Sequence, residues 1–142
     1  MVGETESMAA APRIVLADDR EEILQTVVLI LKDEFTVIGI AHNGADAVEL
    51  ATELLPDILV LDISMPVENG IEAACHLKDL GSTAKVVFLT VNTESEFVEA
   101  ALSAGARGYV LKQSLAEDLV PAIWAVMHGN TFISSSVQFC SP

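Results

Sequence analysis

From Arg13 onward, short apolar runs alternate with longer stretches in which apolar residues return at helical spacing. "RIVLA" (13–17) is an aliphatic run that stops at two aspartates. Over residues 20–32, Ile23, Leu24, Val27, Val28 and Leu31 share one helical face. "FTVIGIA" (35–41) is β-branched and predicts a strand. Asn43 can cap the next helix, where Ala47, Leu50, Ala51 and Leu54 line up, and Pro56 marks its end. "ILVL" (58–61) predicts a third strand. Asn69 and Glu72 have the spacing of a capping box, so a helix is predicted from near Gly70 to before Gly81. "KVVFLT" (85–90) is the fourth strand. Thr93 and Glu96 repeat the capping spacing, and Gly105 can close that helix in the left-handed conformation. "RGYVL" (107–111) is the fifth strand, and Ser114 with Glu117 forms a third box ahead of a last helix. Pro121 is the misfit in that helix. An interior proline costs roughly 3 kcal/mol, so the helix either kinks there or begins its regular part there.

Five strands and five helices in strict alternation predict an α/β fold. Each parallel pair needs a right-handed crossover, and each crossover contains one helix. The expected architecture is a doubly wound, five-stranded parallel sheet in the flavodoxin-like order 2-1-3-4-5. Residues 12–128 read as one domain. Residues 1–11 read as a flexible extension, with Met8 an alternative start, and 129–142 as a tail or the beginning of a linker.

Composition narrows the chemistry. The 142 residues are 51% hydrophobic but only 5% aromatic, so the core is aliphatic, as a sheet covered on both faces requires. The net charge of -14 repels phosphate backbones and argues against nucleic-acid binding by this chain. Cys75 and Cys140 have neither disulfide nor zinc spacing. His42, His76 and His128 are scattered and read as surface or structural residues. "TVVLIL" is stopped by Lys32, short of transmembrane length. "MVGETESMAAAP" lacks a basic n-region, so a cytoplasmic protein without membrane attachment is expected.

Ligands of doubly wound sheets sit beyond the carboxyl ends of the strands. Strand one delivers Asp18 and Asp19 there, strand three Asp62, strand four Thr90, and strand five leads to Lys112. Singly, most of these are ordinary. The acidic pair could cap a helix, Thr90 could merely end a strand, and Lys112 could be a surface lysine. Asp62 is harder to dismiss, because it ends the apolar run of "DILVLD". Three carboxylates in one cleft repel one another unless a counter-charge is present. A hard divalent cation with oxygen ligands supplies it, Mg²⁺ being common where phosphate reacts. The added lysine and hydroxyl point to a phosphoryl group as the metal's companion.

Taken together, "VLADD" (15–19), "DILVLDISMPVENG" (57–70), "VVFLT" (86–90) and "GARGYVLK" (105–112) resemble the receiver domain of two-component response regulators. The resemblance runs from about Arg13 to His128 and implies a CheY-like fold. "GARGYVLKQS" followed by "GNTFISSS" resembles the NarL/FixJ subgroup, whose members usually carry a C-terminal helix-turn-helix. It implies that Asp62 is the phosphoacceptor, and that a sensor histidine kinase is the donor. Asp19 would ligate Mg²⁺ directly and Asp18 largely through water, with Asp62 and the Ser64 backbone carbonyl completing the protein ligands. Lys112 and Thr90 would hold phosphoryl oxygens, and Tyr109 would be the switch aromatic. Such a domain is not a classical enzyme; it catalyses only its own phosphorylation and dephosphorylation. The output would be transcription, through a domain outside this chain, which is then either an excised or a stand-alone receiver.

Two residues depart from the usual pattern. Val91 is bulkier than the residue common after the threonine and would narrow access to the phosphoryl group. Gln113 stands where many receivers have proline, so no cis bond is expected there. The signal is expected to leave through helix 93–104, strand 107–111 and helix 114–127, with Tyr109 turning inward as Thr90 moves. On the last helix, Val120, Trp124 and Met127 form a second apolar stripe. It predicts a homodimer or output-domain contact, or simply a tryptophan folded onto a neighbouring element. Rival readings are a haloacid-dehalogenase-like phosphohydrolase, whose nucleophile belongs in a DxD motif on strand one, and a pseudo-receiver that binds without phosphorylation.

Overall fold

The computed structural model of the chain describes residues 11–91 and 95–135. Met8, most of the expected N-terminal extension, the Thr93 cap, Cys140 and the end of the expected tail lie outside the described residues. The elements are β1 (Arg13–Ala17), α1 (Glu21–Leu31), β2 (Thr36–Ala41), α2 (Gly44–Leu54), β3 (Ile58–Asp62), α3 (Gly70–Asp79), β4 (Lys85–Thr90), α4 (Ser95–Ser103), β5 (Gly108–Leu111), a 3-10 turn (Lys112–Ser114), α5 (Leu115–Met127) and β6 (Phe132–Ile133). The sheet order is β2-β1-β3-β4-β5-β6, and every pairing is parallel. The expected 2-1-3-4-5 order is therefore present. A sixth strand joins it from the segment read as a tail or linker: Phe132 pairs with Gly108 and Ile133 with Tyr109.

Period-two alternation sorts each strand between two apolar layers. Val15, Ala17, Leu59, Leu61, Phe88, Tyr109 and Leu111 face α2, α3 and α4. Ile14, Leu16, Ile58, Val60, Val87, Leu89 and Val110 face α1 and α5. The β1–β2 register shifts between Ile14 and Val15, which face Val37 and Gly39, so Ile38 is the extra residue of a bulge.

The helix ends follow local chemistry. The Asn43 side chain accepts the Asp46 N–H at 2.8 Å, and α2 ends at Leu55 just before Pro56. Asn69 and Glu72 form a complete capping box on α3. Gly81, at φ 78°, closes α3, with the Ser82 N–H bonded to the Leu77 carbonyl at 2.9 Å. Gly105 has φ 102° after α4. The Ser114–Glu117 spacing does not form a box, because the Ser114 side chain makes no cap bond. The chain instead enters α5 through the 3-10 turn, where the Leu115 N–H bonds the Lys112 carbonyl. Helix α5 runs through Pro121, so its regular part does not wait for the proline. Among the described residues there is no cis peptide, and no helix is long and apolar enough to cross a membrane.

Trp124 folds down. Its ring centroid lies 5.1 Å from that of Phe35, and its indole N–H donates to Glu34 Oε1 at 2.8 Å. Val120, Trp124 and Met127 are half-buried against the α1–α5 layer.

Candidate functional site

Because the strands are parallel, their carboxyl ends share one edge of the sheet. β1 exits into Asp18, whose N–H bonds the Ala41 carbonyl of β2 at 3.2 Å. Asp18 Oδ1 accepts the Arg20 N–H at 2.8 Å, which turns the chain toward α1. The N-cap of α1 is Arg20, with no side-chain cap bond, so neither aspartate is spent capping that helix.

Asp18 is buried, with 1% of its surface exposed, and Asp62 is 4% exposed. Asp19 is exposed at the mouth. Carboxylate oxygens of Asp18, Asp19 and Asp62 lie within 4.8 Å of one another. Lys112 reaches between them: its Nζ is 2.9 Å from Asp18 Oδ2 and 3.3 Å from Asp62 Oδ2. Asp18 Oδ2 is nevertheless buried without a well-directed hydrogen bond, so its ion pair with Lys112 is a close contact of poor geometry. A buried oxygen so paired retains the capacity to accept a better-directed contact, such as one from a cation or its hydrating water.

Asp62 ends β3. The Ser64 N–H approaches its Oδ1 at 3.3 Å. Burial, and then the neighbouring Asp18 charge, push the Asp62 carboxyl up to about 6. The Lys112 charge and the Ser64 N–H pull the other way without prevailing. The loop after Asp62 is tightly held. A Cβ on Gly70 would stand 2.3 Å from the Asp62 carbonyl oxygen, and one on Gly44 2.0 Å from that of Glu68. The Gly44 N–H in fact bonds the Glu68 carbonyl at 2.8 Å, so α2 braces the loop that presents Asp62. Val67 has φ 67°, and the Glu68 N–H bonds the Pro66 carbonyl at 2.7 Å, a γ-turn with a β-branched residue at its strained centre.

A cleft of about 230 Å³ is lined by Asp19, Arg20, Asp62, Ser64, Thr90, Val91 and Lys112. Thr90 is 2% exposed and ends β4. By strand alternation it faces the same layer as Phe88, and hence Tyr109 and Leu111. Tyr109 is not in the cleft. It is fully buried in the apolar layer shared with Phe88 and Leu111. Val91 is 68% exposed at the rim. The structure thus brings Asp18, Asp19, Asp62, Ser64, Thr90 and Lys112 together, with Tyr109 outside the cleft on the sheet face that Thr90 shares. Val120, Trp124 and Met127 pack against the α1–α5 layer instead.

Two participants went unread in the sequence. Arg20 lines the cleft, and its only sequence signal is its place directly after the acidic pair. Ser134 is 1% exposed; its Oγ donates to Asp118 Oδ2 at 2.7 Å and accepts the Leu111 N–H at 3.0 Å, one residue before Lys112. The three histidines make surface contacts: His42 with Glu21, His76 with Glu68, and His128 with the Trp124 carbonyl.

Residues 14–124 match the family described as the response regulator receiver domain. The transcriptional regulatory protein DesR of Bacillus subtilis is 38% identical over 118 residues, covering 82% of this chain and 58% of DesR. The virulence regulator BvgA of Bordetella pertussis, a putative positive transcription regulator, is 35% identical over 125 residues, 87% of this chain and 60% of BvgA. The chain therefore spans under two thirds of the length of these curated relatives. A LuxR-family two-component response regulator from Aurantimonas sp. superposes with TM-score 0.85 and 32% identity over 90% of this chain and 93% of that one. The receiver domain of the putative response regulator NarL from Mycobacterium tuberculosis gives 0.82 and 31% over 85% and 99%. In sequence and in fold, this chain belongs to the receiver domain family of response regulators, among relatives of the NarL and LuxR type.

Proposed function

We propose that this chain accepts a phosphoryl group on Asp62 and that the modification alters the α4-β5-α5 surface to control an output, which its relatives' names suggest is transcription. The observation that carries the reading is the buried notch of Asp18, Asp62 and Lys112, with Asp19 exposed at its mouth and buried Thr90 lining the same cleft. The donor would be a phosphohistidine on a sensor kinase, and the setting cytoplasmic. Direct nucleic-acid binding and membrane attachment are not expected of this domain.

The donor set suits Mg²⁺: three carboxylates, one of them with a buried oxygen lacking a good hydrogen bond. Asp19 would ligate it directly, Asp18 largely through water, and Asp62 and the Ser64 carbonyl would complete the protein ligands. When bound, the ion screens the repulsion between carboxylate and incoming phosphoryl. The chain's own residues do the rest. Asp62 presents an oxygen in line with phosphorus. Lys112, released from Asp18 and Asp62, takes up charge on the equatorial oxygens. Thr90 donates its hydroxyl to the same group, and Tyr109, on the same sheet face, responds to that movement.

The test is incubation with acetyl phosphate and Mg²⁺ followed by intact mass. One phosphoryl adduct is expected, and none on Asp62→Asn. An adduct on the asparagine variant at the wild-type rate overturns the assignment. Tyr109→Ala should keep the adduct but lose the phosphorylation-dependent change at α4-β5-α5, read by amide exchange.

A further inference from the structure

We infer that Arg20 is the donor-capturing residue of the cleft, the group that first binds the phosphoryl of an incoming donor and brings it past the acidic rim. The inference rests on the phosphoacceptor reading above and adds to it the residue that governs donor entry.

Charge distribution makes the case. Of the seven Lys and Arg residues in the chain, five lie at the opposite edge of the sheet. Arg13 and Lys85 begin β1 and β4, Arg107 immediately precedes β5, Lys32 follows the end of α1, and Lys78 sits in the last turn of α3. Only Arg20 and Lys112 remain at the carboxyl edge, and both line the cleft. That edge is strongly negative, because Glu21, Glu22, Asp46 and Glu72 occupy the first turns of α1, α2 and α3. A dianionic phosphoryl group approaching it is repelled before it reaches Asp62.

Lys112 is poorly placed to receive that group first. Its side chain is 12% exposed and its Nζ is held by Asp18 and Asp62. Arg20 is the reverse case. Its backbone is fixed, with the N–H on Asp18 Oδ1 and the carbonyl accepting from Ile23 and Leu24. Its side chain is 63% exposed, and among the described residues its one side-chain partner is Glu22, at 3.4 Å. A rigid base with a loosely tethered guanidinium at the mouth suits capture. The planar fork matches two phosphoryl oxygens at once, and its weak tether costs little to break. Once the donor is seated, an Asp62 oxygen forms the new bond to phosphorus. The bond from phosphorus to the leaving group breaks, and the leaving group departs with that electron pair.

The test follows initial rates of phosphorylation of the full chain against acetyl phosphate concentration, by intact mass, at fixed Mg²⁺. Arg20→Ala should raise the half-saturating concentration about five-fold, as loss of one nearby charge predicts, with far less change in the rate at saturation. Arg20→Lys should recover most of the loss, and Arg20→Glu should exceed it. Raising ionic strength should shrink the difference between wild type and Arg20→Ala. Arg107→Ala removes the same charge from the far edge and should match wild type. Equal half-saturation in wild type and Arg20→Ala overturns the inference, as does an equal rise in Arg107→Ala, which would reduce the effect to net charge. A fall confined to the saturated rate also overturns it. Failure of the wild type to take up phosphoryl at all would sink the phosphoacceptor reading itself, and is seen before any variant is compared.

Discussion

At the scale of single residues, Asp62 is set against its surroundings. Burial and Asp18 raise its carboxyl to about 6, so the folded state holds that proton more tightly than the unfolded chain does. Stability from this residue is greatest below the unfolded value near 4 and is lost as pH rises toward 6. Asp62→Asn is therefore expected to stabilise the metal-free protein at pH 8 by about 2 kcal/mol, a gain that fades as pH falls from 6 to 4. Urea melts across that range measure it, and a gain independent of pH would contradict the cause given. Val67 carries a different strain. A β-branched residue at φ 67°, 83% exposed, gains little from its side chain and suffers from its backbone. Val67→Gly should add about 1 kcal/mol of stability in the same melts. The sequence could announce Asp62, because a charge ending an apolar run is visible in one dimension. It could not announce Val67, whose strain exists only once the loop after Asp62 is folded.

Elements were legible where their signals are local. Asn43 and Asn69 cap their helices as their spacing requires, since a cap involves only residues three apart. Ser114 has the same spacing from Glu117 and fails, because the 3-10 turn after Lys112 fixes the entry to α5 first. The two apolar sides of α5 were equally plain, but which neighbour Trp124 would meet depended on where Glu34 and Phe35 fell in space. Strand β6 had no such signal. Two residues carry no periodicity, and what holds them is tertiary: the Ser134 N–H on the Tyr109 carbonyl at 2.9 Å, and the Ser134 hydroxyl bridging Asp118 and Leu111. Ser134→Ala leaves both hydroxyl partners unmet and should cost about 1–3 kcal/mol. Amide exchange should show the loss first at Leu111 and along β6. If those amides stay protected while the rest of the sheet exchanges faster, β6 is held by something other than this serine.

Across the whole molecule, the convergence of Asp18, Asp19, Asp62, Thr90 and Lys112 was the most legible feature, since parallel order alone brings the strand ends together. Arg20 was not, because an arginine after two aspartates means little until the other cations are found at the far edge. That polarity has a stability consequence. A chain of net charge -14 that packs three carboxylates within 4.8 Å folds against its own field. Any salt should relieve the general repulsion. On the proposed function, Mg²⁺ should do more at equal ionic strength, because it would also bind in the notch. At a hundredfold excess over its Kd it should add about 2.7 kcal/mol, or on the order of 5–10 °C in Tm for a chain of this size. Asp19→Asn should keep the response to NaCl and lose the excess due to Mg²⁺, because Asp19 is exposed and its removal leaves no buried charge unpaired. Melting curves in NaCl and MgCl₂ at matched ionic strength separate the two effects. Identical curves in the two salts for the wild type would mean that the three aspartates do not act together on one ion, and that their proximity is only a crowding of negative charge.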